Sequence, residues 1–315
     1  MVLGSGGLAV RQAQMVVDFV MVVCFCKAFI FVVSAFFIAL INVQSFLIAT
    51  KVDFVLFSIV VSFASNYFPS LKQSCMLNIS LENLLLIDIE TVSKHESYES
   101  MPADWQELWN EKVERIIPEN ETVETFYPAR AAIMAEFGKI ICISAGYFRN
   151  ENGVLNLRVK SYYSHDEKEL LHSVLTSFNQ WQATKKSVAF CGHNIREFDI
   201  PYLCRRMLIN NISIPSYLDF QSMKPWETNL VDTLQLWKFG DFKNYTSLKL
   251  LAACMNVLSP KDDIDGSQVG DVFWKENDLE RIAIYCARDV VTVGQLMLRF
   301  KQLPLLRDAD INIVV

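Results

Sequence analysis

Positive charge is scarce in this 315-residue chain: 29 Lys and Arg stand against 35 Asp and Glu, a formal net charge of −6. A protein that grips nucleic acid by charge alone needs a basic face, and the acidic balance argues against that class. An enzyme that brings metal ions to a phosphate is not excluded, because the ions supply the missing charge. The eight cysteines form no C-x-x-C and no metal-ligand spacing. Cys142, Cys191, Cys254 and Cys286 sit among apolar residues and read as buried small hydrophobes. That usage fits a reducing compartment, and a cytoplasmic location is the expectation. Gly4-Ser5-Gly6-Gly7 lacks a following G-K-[ST], which removes a phosphate loop. Lys261-Asp262-Asp263-Ile264-Asp265-Gly266 hints at a calcium loop, but Lys261 and Val272 stand where such a loop needs acidic ligands.

Charge of either sign is nearly missing from residues 1–75, which carry only Arg11, Asp18, Lys27, Lys51, Asp53 and Lys72. The body that follows holds 25 basic and 33 acidic residues, a net charge of −8. Ala28 to Thr50 is an uncharged run of 23 residues, long enough to cross a bilayer, and Phe54 to Leu71 is a second of 18. Only Lys51-Val52-Asp53 separates them, which is short for two independent spans. No clear small-x-small cleavage site precedes the body, so the segment does not read as a signal peptide. Three readings stand. The segment is a membrane anchor with the body at the cytoplasmic face; or it lies outside the working protein, which then starts at Met76; or it is a hydrophobic arm for partner contact. The chain accordingly divides into a hydrophobic segment, 1–75, and a body, 76–315.

In the body, Glu82 to Ile89 reads as a buried strand. Residues 94–127 are polar and acidic and read as an excursion over the surface, with a short helix opening at Asp104. Ile140 to Phe148 and Val154 to Tyr163 are strands joined by the hairpin signal Asn152-Gly153. Asp166 opens an amphipathic helix to about Thr184, with Leu170, Leu171, Val174, Leu175 and Phe178 on one face. Val188 to Cys191 is a strand, Ile200 to Ile209 a helix with Pro201 in its first turn, and Leu230 to Leu236 strand-like. Helices follow over Leu248 to Met255 and Leu279 to Phe300. The order predicts an α/β domain with a mixed central sheet and helices on its faces.

Three short segments carry the chemistry. Asp88-Ile89-Glu90 ends an apolar run, and residues two apart on a strand share a face. Asn194-Ile195-Arg196-Glu197-Phe198-Asp199 follows a second strand. Tyr285 and Asp289 are four apart and share a helix face. Taken singly, each reads as ordinary: Asp199 as a helix cap, Asp88 as a turn residue, Tyr285 as packing. Taken in order, they predict four carboxylates converging on the strand ends, where α/β sheets collect ligands. Hard oxygen ligands suit Mg²⁺ or Mn²⁺, and two such ions can hold both the attacking and leaving oxygens of a phosphodiester.

On these motifs the body, from about Met76 to Gln302, resembles a 3′–5′ exonuclease of the DnaQ-like group in the ribonuclease H-like superfamily. It is most similar to stand-alone versions of the proofreading exonuclease domain of family B DNA polymerases. Tyr285, four before Asp289, places it with the tyrosine subclass (DEDDy); the histidine of the other subclass would fall at Ile284. The resemblance implies a ribonuclease H-like mixed sheet flanked by helices. It implies two divalent ions, Mg²⁺ or Mn²⁺: Asp88 bridging both, Glu90 and Asp289 completing the first site, Asp199 holding the second. Tyr285 would orient the attacking water. Thr91 would touch the terminal 3′ nucleotide, and Asn194 and Phe198 would shape the groove. The implied partner is the 3′ end of a single strand, DNA favoured over RNA, and beyond it a separate polymerase or repair partner. The alternative function is a nucleic-acid-binding or membrane-tethered accessory protein without catalysis. Asp232 reads as structural or as an outer helper, and His193 as a structural or groove residue. Arg149, Lys185, Lys186, Arg196, Arg205, Arg206 and Lys243 are the basic residues available to a nucleic-acid path.

Overall fold

The computed structural model describes residues 79–184, 188–224, 227–241, 243–258 and 264–315. The expectations for segment 1–75, a start at Met76, Lys185-Lys186 and Lys261-Asp262-Asp263 fall outside these residues. Among the described residues no helix is long and apolar enough to cross a membrane.

In chain order the elements are β1 (Leu84–Ser93), α1 (Ala103–Val113), α2 (Val123–Arg130), β2 (Gly138–Glu151), β3 (Val154–Tyr163), α3 (Glu167–Thr184) and β4 (Ala189–Gly192). There follow α4 (Asp199–Ile209), β5 (Leu230–Asp232), α5 (Thr233–Lys238), α6 (Leu248–Cys254), α7 (Leu279–Phe300) and β6 (Ile311–Val314). A helical turn at Val269–Asp271 and a π-helical turn at Val272–Glu276 lead into α7. The strands form one sheet in the order β5-β4-β1-β2-β3-β6. β2 is antiparallel to β1 and β3, while β4, β5 and β6 lie parallel to their neighbours. This is a mixed sheet flanked by helices, as the ribonuclease H-like resemblance implies.

β1 is apolar on both faces because both faces are covered. Leu85, Ile87 and Ile89 pack with Leu170, Leu171, Val174 and Phe178 of α3 and Leu203 and Met207 of α4. Leu84 and Leu86 pack with Val290, Val293 and Met297 of α7. α7 lies close to the sheet: a Cβ on Gly294 would stand 2.9 Å from Leu157, and one on Gly146 2.8 Å from Val290. The Ser161 hydroxyl donates to the Ala283 carbonyl at 3.1 Å and ties the helix down further. The β2–β3 hairpin turns at Asn152 (φ 55°) and Gly153 (φ 84°), the left-handed pair that a two-residue turn requires. α3 starts where the Asp166 carboxylate accepts the Lys168 and Glu169 amides.

Cys142, Cys191 and Cys286 are buried as read, but Cys254, at the end of α6, is exposed, and the fold differs from the sequence reading in four places. Residues 94–127 are not merely a surface excursion. α1 and α2 close over a second small core in which Trp109 is fully buried among Val113, Phe126, Tyr127 and Phe137. The Trp109 indole donates to the Val123 carbonyl at 2.9 Å, so its polar atom is satisfied there. The strand at 230 is three residues long, because Asp232 accepts the Leu234 and Gln235 amides and starts α5. β1 continues past the acidic pair to Ser93 rather than ending at it. β6, unforeseen in the sequence, lies along β3.

Candidate active site

β4 pairs with β1 only over Leu84–Leu86. Gly192, the last residue of β4, still packs against the Ile87 carbonyl, but past it no strand among the described residues pairs with this edge of β1, and its backbone needs other partners. The Ile89 amide finds one in the Asp199 carboxylate, at 3.2 Å. That bond sets the first residue of α4 between Asp88 and Glu90. On the other side of β1 the register with β2 shifts between Glu90 and Thr91. Such bulges re-aim neighbouring side chains, and here one falls beside Glu90.

The third segment arrives on α7. Cys286 lies against β1, its thiol donating to the Asp88 carbonyl and to Asp88 Oδ2, each at 3.4 Å. Tyr285 hydrogen-bonds Asp289, whose charge acts on both Asp88 and Glu90. Asp88, Glu90, Asp199, Asp289 and Tyr285 are thus brought together from three segments 80 or more residues apart.

Their electrostatics follow from crowding in a buried place. Burial, then Glu90, Asp289 and Asp199, push the Asp88 carboxyl well above its ordinary value. Burial and Asp289 do the same to Glu90. Burial lifts Asp199 to about 7, although the amides of Asp199 and Ile89 pull the other way. Burial and the carboxylates raise Tyr285, so its hydroxyl keeps its proton. Cys286 is raised by burial too and stays a neutral thiol. Among the described residues no hydrogen bond or ion pair reaches the Glu90 carboxylate, which is only 9% exposed.

The donor set fits a hard divalent cation. Carboxylate oxygens of Asp88 and Glu90 and the Cys286 sulfur lie within 4.8 Å of one another, and Asp199 and Asp289 act on the same pair. A positive ion would relieve the like-charge repulsion that raises these groups.

The other expected residues fall as follows. Thr91 is half-buried and hydrogen-bonds Tyr202. Asn194 adopts a left-handed φ of 62°, its amide donates to Asp232 at 3.0 Å, and its buried Oδ1 has no hydrogen-bond partner among the described residues. Phe198 packs on Tyr202, with ring centroids 5.3 Å apart. His193 is pinned between the Thr233 hydroxyl (3.0 Å) and the Thr246 carbonyl (2.9 Å), which makes it structural. Arg206, considered for a nucleic-acid path, is buried instead, its guanidinium bonded to Glu167 and to the Ala135 carbonyl. The Arg196 guanidinium donates to the Leu230 carbonyl at 2.7 Å.

Asp232 has a larger role than its sequence setting conveys. Fully buried, it accepts the amides of Asn194 and Arg196 as well as capping α5, and so shapes the loop that delivers Asp199. Its position after a short apolar run and before Thr233 was the available signal for the cap, though not for the loop.

A family model described as a predicted 3′–5′ exonuclease related to the exonuclease domain of PolB matches residues 132–307. That span contains Asp199, Tyr285 and Asp289; Asp88 and Glu90 precede it. Among solved structures, the family B DNA polymerase from the hyperthermophilic archaeon Pyrobaculum calidifontis is similar, with 16% identity and a TM-score of 0.37. The similarity covers 70% of this chain and 26% of the polymerase chain. No curated protein sequence matches.

Proposed function

The chain belongs to the family of predicted 3′–5′ exonucleases related to the exonuclease domain of PolB, and on that premise we propose that it removes nucleotides from the 3′ end of single-stranded nucleic acid in a reaction that depends on divalent metal. DNA is favoured over RNA as substrate. The observation that carries this reading is the convergence of Asp88, Glu90, Asp199 and Asp289, whose like charges act on one another at the strand. Two divalent ions, Mg²⁺ or Mn²⁺, held by these four carboxylates would supply positive charge to the attacking and leaving oxygens of the scissile phosphodiester.

The chain's own groups do the rest. Asp88 and Glu90 are fixed by strand geometry, and Asp199 by its bond to Ile89. Tyr285, protonated and hydrogen-bonded to Asp289, is an orienter of the attacking water rather than a proton acceptor. The Cys286 thiol holds the Asp88 carboxylate in place. Asn194 and Phe198 would shape the groove, and Thr91 stands one residue beyond Glu90 where the terminal nucleotide would lie.

The test uses 5′-labelled single-stranded DNA and RNA with Mg²⁺, Mn²⁺ or chelator. A ladder shortening from the 3′ end, dependent on metal, is expected from the native chain. Asp88→Ala should lose on the order of 100-fold or more in rate, with Tyr285→Phe losing less. Full activity in Asp88→Ala would refute the site.

A further inference from the structure

Between α5 and α6 the chain holds aromatic rings in solvent. Phe239 is 89% exposed and Tyr245 66%, and Trp237, in the last turn of α5, is 37% exposed. Phe239 is left-handed (φ 46°), as is Gly240 after it (φ 89°), so the chain turns sharply there with the ring uncovered. Lys238 and Lys243 are interleaved with the rings, and neither joins an ion pair with a described residue.

This segment adjoins the carboxylates. The residue after Tyr245 offers its carbonyl to His193 at 2.9 Å, and His193 immediately precedes the loop that ends in Asp199. The Tyr245 ring stands edge-on to His193, with centroids 6.4 Å apart. Asp199 and Asp232 are the charges its hydroxyl senses. Five residues separate Phe239 from Tyr245, a reach of at most ~20 Å, which several nucleotides can bridge.

Exposed rings alternating with lysines suit an unpaired strand, whose bases stack while its phosphates seek cations. A purely apolar partner would not call for the lysines. We infer that Tyr245 and Phe239 form a stacking platform for the unpaired bases just upstream of the 3′ terminal nucleotide. The inference rests on the exonuclease reading and names the residues by which its single-stranded substrate is preferred over a duplex, whose paired bases are already stacked on both faces.

The test is binding by the full chain, in chelator, of an oligothymidylate carrying one 2-aminopurine near its 3′ end. The native chain should quench the 2-aminopurine and bind the matching duplex more weakly. Tyr245→Ala and Phe239→Ala should each weaken binding roughly 5- to 150-fold and lessen the quench, while Tyr245→Phe and Phe239→Trp retain both. Unchanged affinity and quench in both alanine variants, or no quench with the native chain, overturns the platform. Shortening of the same oligonucleotide in Mg²⁺ is scored separately. Shortening with indifferent alanine variants sinks the platform alone. A platform that quenches as expected on a chain that never shortens the strand sinks the hydrolysis alone.

Discussion

Asp199 is pulled two ways. Two backbone amides stabilise its charge, and burial opposes it more strongly, leaving the carboxyl at about 7 against an ordinary 3.8. A folded value above the unfolded one means that this group's stabilising contribution is complete at low pH and is lost as pH rises through about 7. In chelator the protein should therefore melt at a higher temperature at pH 6 than at pH 8. The difference is on the order of 1 kcal/mol if Asp199 alone titrates, because most of the loss has already occurred between about pH 4 and pH 6. Divalent-ion affinity should run the opposite way, strengthening with pH as the proton is displaced. Scanning fluorimetry and calorimetric titration check both; equal slopes in Asp199→Asn and the native chain would sink the assignment. At this scale the sequence was most legible where a motif is local. Asp88 with Glu90, and Tyr285 with Asp289, declare a shared face by spacing alone. The bonds of Asp232 to Asn194, 38 residues away, and of Cys286 to Asp88, 198 residues away, leave no such trace, because each depends on what packs across the fold.

Elements fix where those residues stand. α4, which carries Asp199, is locked to β2 and α3 through Glu167. That buried carboxylate receives the Ile140 amide at 2.7 Å, Arg206 Nε at 2.8 Å and the Asn210 side chain at 2.8 Å. Glu167→Ala would strand the Arg206 guanidinium without a counter-charge, a loss of about 3–5 kcal/mol. Urea unfolding measures it, and a change below ~1 kcal/mol would show the pair to be dispensable. Nuclease rate should fall with it as Asp199 loosens. β3 and α7 keep the bounds read from their apolar patterns, because periodic runs with sharp ends are unambiguous. The segment around Trp109 misled, because its helices are mostly polar and bury only a few large residues. Leu230 to Leu236 misled for another reason: an apolar run of that length suits strand or helix equally until the Asp232 cap is seen.

For the whole molecule, acidity is the dominant fact. A body of net charge −8 has few cations with which to neutralise phosphates. Strand binding without metal should therefore respond weakly to salt, losing less than about tenfold in affinity between 50 and 200 mM, where a protein making many phosphate contacts loses ~10³ or more. Fluorescence anisotropy across a salt series decides it, and a steep slope would reveal a basic face that the sequence does not suggest. The sheet has a different bearing on the behaviour of the body. Its long strands, β1, β2 and β3 of ten, fourteen and ten residues, lie inside. Its margins are β5 and β6, of three and four residues. A long bare margin is a template on which a neighbour's backbone can continue a ladder, and a margin this short gives a neighbour almost nothing to zip onto. Short margins thus close the sides of the sheet to polymerisation with a second copy.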